Sequence, residues 1–383
     1  DLWQDVAPKN APLASLNLEP VGSGPYKFEK FAVDKKGNVR SYTLVRNPDY
    51  YGNPPLIERL TFKFYPDAQS AVSALENRNI EGISFVPAPL IPEVETNRLV
   101  RVVRPDMPLT TVLFFNQKIQ PLLEDARIRK ALAMSLDKQA IINQALDGFG
   151  TVIEAPILSG TLGEHPTVAK IATDVAGANA LLDETDYKLT DGNPVRAIVK
   201  TVTKDGAEVE ERTELLLTLT TIDQPELIAA AEAIAAQALQ VGIKIEISVI
   251  APENLYDEVI KPRAFQMLLT GTQLGIDPDP YPFWHSSQAN DPGLNLAQYA
   301  NRKADALLEE ARSTTDPNVR AENYRAFQDI LAEDLPAIFL YQSSYAYAIA
   351  SKIQNATIDR IYIPADRFAH VTEWYIKTKK VIQ

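Results

Sequence analysis

The sequence predicts an α/β protein of more than one domain. Three observations carry that prediction. The chain has 383 residues, more than one domain usually holds. Strand patterns alternate with helical patterns along most of it, the signature of helices layered on a sheet. The third is the stretch "QPELIAAAEAIAAQALQVGIKIEISVI", which reads as a helix followed by a strand. Pro225 suits a first helical turn, and Leu227, Ala231, Ile234 and Ala238 share one face. Gly242 suits the left-handed position after the helix, and Ile243, Ile245, Ile247 and Val249 then alternate as a half-buried strand.

The other elements follow in order. "GPYKFEKFAV" and "NVRSYTLVR" are β-rich runs around Lys35–Lys36–Gly37–Asn38, a hairpin signal. "IERLTFKFY" alternates Leu60, Phe62 and Phe64 as a strand. Asp67 then caps a short helix carrying Ala71, Val72 and Leu75 on one face. "GISFV" and "RLVRVV" are short strands, and "LTTVLFFN" is a strand ending on the polar Asn116. The pattern now turns helical. "EDARIRKALAMSLDKQAIINQAL" reads as two helices, the first with Ile128, Ala131 and Leu132 on its apolar face. A short helix near Val175–Leu182, a hairpin about Asp205–Gly206 and the strand "ELLLTLTTI" come next. "AFQMLLTG" is a strand that leads into a proline-rich loop. Ala304, Leu307, Leu308 and Ala311 mark one further helix, and Asp316–Pro317 opens another. "PAIFLYQ" returns as a strand, and the tail is mixed and aromatic. The change from β-rich to helix-rich pattern divides the chain into a first lobe of residues 1–113 plus 342–383 and a second of 114–341.

Composition excludes several function classes. At 45% hydrophobic and 23% charged residues the chain reads as globular, and no apolar run approaches the ~18 residues of a membrane helix. A net charge of −12 argues against nucleic acid, which needs clustered Lys and Arg. The absence of cysteine excludes disulfides, thiolate metal sites and cysteine nucleophiles. The opening "DLWQDVAPKN" has neither initiator Met nor the basic and apolar regions of a leader, as in a trimmed product or an excised fragment.

The most unusual stretch is "GTQLGIDPDPYPFWHSS", residues 271–287. Pro278, Pro280 and Pro282 each remove a backbone donor and fix φ, so the stretch reads as a stiff extended loop. Such a loop presents Tyr281, Phe283 and Trp284 for recognition. The competing reading is that Phe283 and Trp284 start a short helix and pack in the core. Asp277 and Asp279 have D-x-D spacing, but the further acids and glycine of a calcium loop are absent. His165, His285 and His370 lack zinc-ligand spacing. No metal site or cofactor is expected, and the aspartates fit turn-capping roles. No G-x-S-x-G elbow and no isolated carboxylate pair marks a catalytic centre. "VGSGPYKF" holds a G-x-G, but a β-rich run follows it where a phosphate-binding loop would open a helix.

These segments, in this order, resemble the family 5 extracellular solute-binding proteins, the oligopeptide, dipeptide and nickel receptors of ABC importers. "VGSGPYKF" is similar to the family's G-[ST]-G-P-Y turn, and "LVRNPDYYG" to its R-N-P-x-Y-W-G segment. "LFFNQ…LEDARIRKALAMSLDKQAI" resembles its f-N…D-x-R-x-R-x-A-l…D-r motif. "LNLAQYANRKADALL" and "RAFQDILAEDLPAIFLY" resemble two further blocks. The resemblance implies an α/β, two-lobed, periplasmic-binding-protein-like (type II) fold, with mixed sheets flanked by helices and a hinge between the lobes. It implies no catalysis. It implies a small solute as ligand, peptide ahead of nickel chelate or oligosaccharide. The partner would be a membrane permease on the extracytoplasmic side, where the full-length protein would be tethered as a lipoprotein. A hydrolase using Asp277 or Asp279 is the rival class. The resemblance also implies that the first lobe lacks its N-terminal part, so that the protein would be a monomer with an open sheet edge prone to pairing.

Where peptide-binding relatives carry Gly-Trp, Thr272 stands in place of Trp. No acid falls at the peptide-anchoring position, which reads Leu274–Gly275, and Asp277 lies a few residues away. The expected ligand face is Asn116, Thr272, Gln273, Leu274, Gly275, Asp277, Trp284, Asn295 and Tyr299.

Overall fold

The computed structural model describes residues 6–376 apart from 8, 10–13, 205, 206, 274, 276, 359 and 360. The chain forms two compact units, Asp1–Asp106 with Tyr345–Gln383, and Met107–Ser344. The joints thus lie at 106/107 and 344/345, a few residues outside the 113/114 and 341/342 expected from sequence. The reason is that the strands at both joints run on, unbroken, within the sheet of the second unit.

In the first unit, β1 (Tyr26–Val33), β2 (Val39–Arg46) and β3 (Arg59–Lys63) form an antiparallel sheet. The β1–β2 turn is closed by Asp34, whose carboxylate accepts from the Asn38 side chain and from the Asn38 and Lys36 amides, while Gly37 adopts a φ of +85°. The Asn38 bonds hold the Asp34 carboxyl down to about 2. Next is α1 (Ala68–Glu76), capped as expected by Asp67, which accepts from the Ser70 amide at 2.7 Å. Then come β4 (Gly82–Ile83), only two residues of the expected "GISFV" strand, the one-turn α2 (Ile91–Glu95) and β5 (Val100–Val103).

The second unit begins with β6 (Asp106–Phe115), α3 (Ala126–Ser135), α4 (Lys138–Leu146), β7 (Gly150–Val152) and α5 (Val175–Asp183). A separate antiparallel sheet follows, made of β8 (Lys188–Thr190), β9 (Asn193–Lys204) and β10 (Ala207–Glu214). The expected Asp205–Gly206 turn lies outside the described residues, but the strands flanking it pair antiparallel. The unit continues with β11 (Leu216–Ile222), α6 (Pro225–Leu239), β12 (Lys244–Ile250) and β13 (Met267–Gln273). It ends with α7 (Tyr281–Trp284), α8 (Arg302–Ser313), α9 (Pro317–Asp334) and β14 (Ala337–Ser344). The chain then returns to the first unit, where β15 (Tyr347–Ala350) pairs between β4 and β5, and β16 (Ile353–Gln354) pairs with β17 (Tyr375–Ile376).

A six-stranded mixed sheet, in the order β12-β11-β13-β6-β14-β7, organises the second unit. Strand periodicity divides its apolar residues between two faces. Leu113, Phe115, Leu217, Leu219, Met267 and Leu269 pack with α3, α4 and α6. Val112, Phe114, Leu268 and Phe339 pack with α8 and α9. The strand β12 departs from the expected alternation: Ile243 is buried, but Val249 is exposed because β12 is the outer strand of the sheet.

Gly242 has a φ of +82°, and a β-carbon on it would lie 2.6 Å from Arg196 Cγ. Arg196 is itself buried, with Nε bonded to Val241 O at 2.9 Å and Nη1 to Asp183 Oδ1 at 2.7 Å. Gly242→Ala is therefore expected to destabilise the protein by at least about 1–2 kcal/mol from backbone conformation alone. A drop in the urea midpoint checks this, and an unchanged midpoint would show that Arg196 and the turn give way freely.

Candidate functional site

Open α/β sheets commonly present ligands beyond the carboxyl ends of their strands. In the second unit that end is reached by β13, whose last residues face the first residues of β6. Thr272 pairs with Thr110 and Gln273 with Leu109. The two threonine hydroxyls lie 2.7 Å apart, and Thr110 Oγ1 also donates to Thr272 O. Gly271, Gln273 and Gly275 are exposed there, and Thr272 is half-buried. Leu274 lies outside the described residues.

The connection from β13 to α8 is bound to the body of the unit by buried polar side chains. Asn295 is fully buried. Its Nδ2 donates to His285 O at 3.1 Å and to Tyr299 O at 2.9 Å, and its Oδ1 accepts from the Tyr299 amide at 3.0 Å. Asn116, just past β6, is also fully buried; it donates to Arg263 O at 2.9 Å and accepts from the Ile119 amide and from Gln298 Nε2, each at 3.3 Å. Arg263 is 5% exposed and donates to the carbonyls of Ile260, Ala289 and Gly293. Burial lowers its pKa, opposed by the nearby Asp291 carboxylate.

The aromatic residues of the connection turn inward. Trp284 is 2% exposed, at the end of the short helix α7, with its ring centroid 5.9 Å from Phe114 and 5.6 Å from Phe339. Tyr299 crosses it edge-on at 6.5 Å and donates its hydroxyl to Asp334 Oδ2. Burial, and then that bond, raise the Tyr299 phenol far above its ordinary pKa. Tyr281 stacks on His285 at 4.1 Å, with the Arg312 guanidinium 4.1 Å from the Tyr281 ring centroid.

The aspartates are held apart by two helices. Asp277 pairs with Arg320 of α9 at 2.8 Å, and Asp279 with Arg312 of α8 at 2.9 Å. Each is thus the counter-ion of a guanidinium.

The expected ligand face therefore divides. Thr272, Gln273, Gly275 and Asp277 lie at the exposed strand end or just after it. Asn116, Trp284, Asn295 and Tyr299 do not rim a surface; they are buried and hold the connection in place. The extended presentation of Trp284 is corrected for a physical reason: Pro280 and Pro282 enter α7 at its start, where a missing N–H is harmless, so the helix forms and carries the indole into the core. Sequence reasoning missed Arg263, Gln298 and Thr110. Arg263 gives no local signal, because the carbonyls it binds at Ala289 and Gly293 lie far along the chain.

The first unit carries a groove of about 870 Å³ of its own, lined among others by Phe62, Phe85, Tyr347, Arg367, Phe368 and Trp374. The Arg367 guanidinium lies over Phe368 at 4.4 Å. The groove can take an apolar group beside a cation. Among the described residues no group of three or more His, Asp or Glu side chains could hold a metal ion, and no helix is long and apolar enough to cross a membrane.

Residues 3–295 match the family model for bacterial extracellular solute-binding proteins, family 5, middle region. The chain belongs to this family. The oligopeptide-binding protein AppA of Bacillus subtilis is 28% identical over 378 residues, which is 96% of this chain and 65% of AppA. The chain thus spans less than two thirds of that relative's length. A structure of AppA from Bacillus subtilis in complex with a nonapeptide matches with a TM-score of 0.73 and 26% identity, covering 98% of this chain and 71% of that one. NikZ from Campylobacter jejuni, in complex with Ni(L-His), matches with a TM-score of 0.73 over 94% of this chain and 69% of NikZ; at 22% identity that likeness is one of fold.

Removing the asparagine hub should be costly. Asn295→Ala leaves the Tyr299 carbonyl and amide without their Asn295 partners, takes one of two donors from His285 O, and should lower stability by about 2–3 kcal/mol. Trp284→Ala should lower it by about 3–5 kcal/mol. Thermal or urea midpoints read both effects, and wild-type midpoints in either variant would return these residues to the surface.

Proposed function

We propose that this family 5 chain is the solute-binding part of a bacterial ABC importer, and that its solute is a peptide. One observation carries the reading: a relative 26% identical over 98% of this chain has been solved with a nonapeptide. The strand end in the second unit supports it. Gly271, Gln273 and Gly275 are exposed where β13 stops, and main chain presented at a strand end suits an extended peptide, which is recognised largely through its own main chain.

The proposed role is binding and delivery to a membrane permease on the extracytoplasmic side, without turnover. Asp277 and Asp279, the acids nearest the rim, are spent in separate pairs with Arg320 and Arg312. That arrangement supplies neither an activated nucleophile nor a paired acid and base.

Isothermal titration with a mixed-sequence nonapeptide pool, beside titration with a nickel–histidine chelate, tests the reading. Saturable heat with the peptides, with the peptides recovered intact by mass spectrometry, is expected. Heat with the chelate alone, or cleaved peptide, would overturn it.

A further inference from the structure

A narrow cavity of about 60 Å³ lies within the second unit, away from the strand-end site. Most of its wall is apolar, including Ala133, Leu331 and Phe339, but Lys138, Glu154 and Gln328 also line it. Gln328, on α9, is 1% exposed. Its Nε2 donates to Gly163 O at 2.9 Å and to Tyr324 O at 3.0 Å. These two acceptors fix the orientation of the amide, since a flip would set its oxygen against two carbonyl oxygens. The Gln328 Oε1 atom is left buried and has no partner among the described residues. A buried acceptor without a donor is unfavourable enough that native proteins rarely leave one.

The same cavity offers the opposite group. Lys138 Nζ donates to Ile153 O at 3.1 Å and to Glu154 Oε2 at 2.5 Å. An ammonium has three donors, so one N–H is left beyond the Ile153 and Glu154 acceptors. The wall thus combines an acceptor lacking a donor with a donor lacking an acceptor.

We propose that this cavity is a site for ordered internal water, which donates to Gln328 Oε1 and accepts from Lys138. Water needs roughly 10–15 Å³ of such space per molecule, so the volume admits more than one. A metal or ammonium ion is disfavoured by the Lys138 cation in the wall, and an anion by the Glu154 carboxylate and the Gln328 oxygen. A small neutral molecule that both donates and accepts satisfies every group. Through it, α9 is tied to the Ile153–Pro156 segment that follows β7, a connection the direct hydrogen bonds do not make.

A room-temperature crystal structure of the wild-type chain at atomic resolution, from crystals soaked in rubidium, tests the proposal. The expected result is a water peak about 2.5–3.0 Å from Gln328 Oε1, without rubidium anomalous signal. An empty cavity, an Oε1 paired directly to protein, or a rubidium peak at the site would each overturn it.

Discussion

A carbonyl removed from water has to meet a donor, and around the β13–α8 connection three side chains add their donors to those of the backbone amides. Asn116, Arg263 and Asn295 between them bind the carbonyls of Ile260, Arg263, His285, Ala289, Gly293 and Tyr299. Irregular backbone cannot pair with itself as helices and sheets do, so a connection of this length packs inside only if side chains complete it. With that pairing in place the Trp284 indole sits against Phe114 and Phe339. The paired aspartates and the Tyr281–His285 stack then fasten the outer surface of the connection to α8 and α9.

The division between fixed and exposed parts suits a binding protein. The buried amides and the guanidinium spend their hydrogen bonds on the protein's own backbone. What remains at the surface is the end of β13, where Gly271 and Gly275 bring the main chain outward with little side chain over it. In the proposed reading, recognition would rest on that frame and its open rim.

Much of the fold was legible because its signals are local. The alternation of Leu113 and Phe115 with Val112 and Phe114 sends each pair to a different face of the central sheet, as strand periodicity requires. Asp67, Asp316 and Gly242 mark helix ends through bonds or backbone angles formed within a few residues. The site was legible only in part. That the stretch after β13 is special follows from its prolines, but which way its aromatics turn depends on Phe114 and Phe339, more than fifty residues away on either side. Asn116 and Asn295 were expected on the ligand face and lie buried against backbone instead, because an asparagine that binds ligand and one that binds backbone look alike in sequence. The exposure of Val249 was likewise hidden, since only strand order reveals that β12 is outermost.

Amide hydrogen exchange on the wild-type chain tests most directly whether buried side chains hold the connection. The Asn295 amide donates to Gln288 O, and the Tyr299 amide to Asn295 Oδ1. The account predicts that both exchange as slowly as the amides of β13. Exchange as fast as at the exposed Gly275 would contradict it, and would show that the connection opens independently of the sheet it leaves.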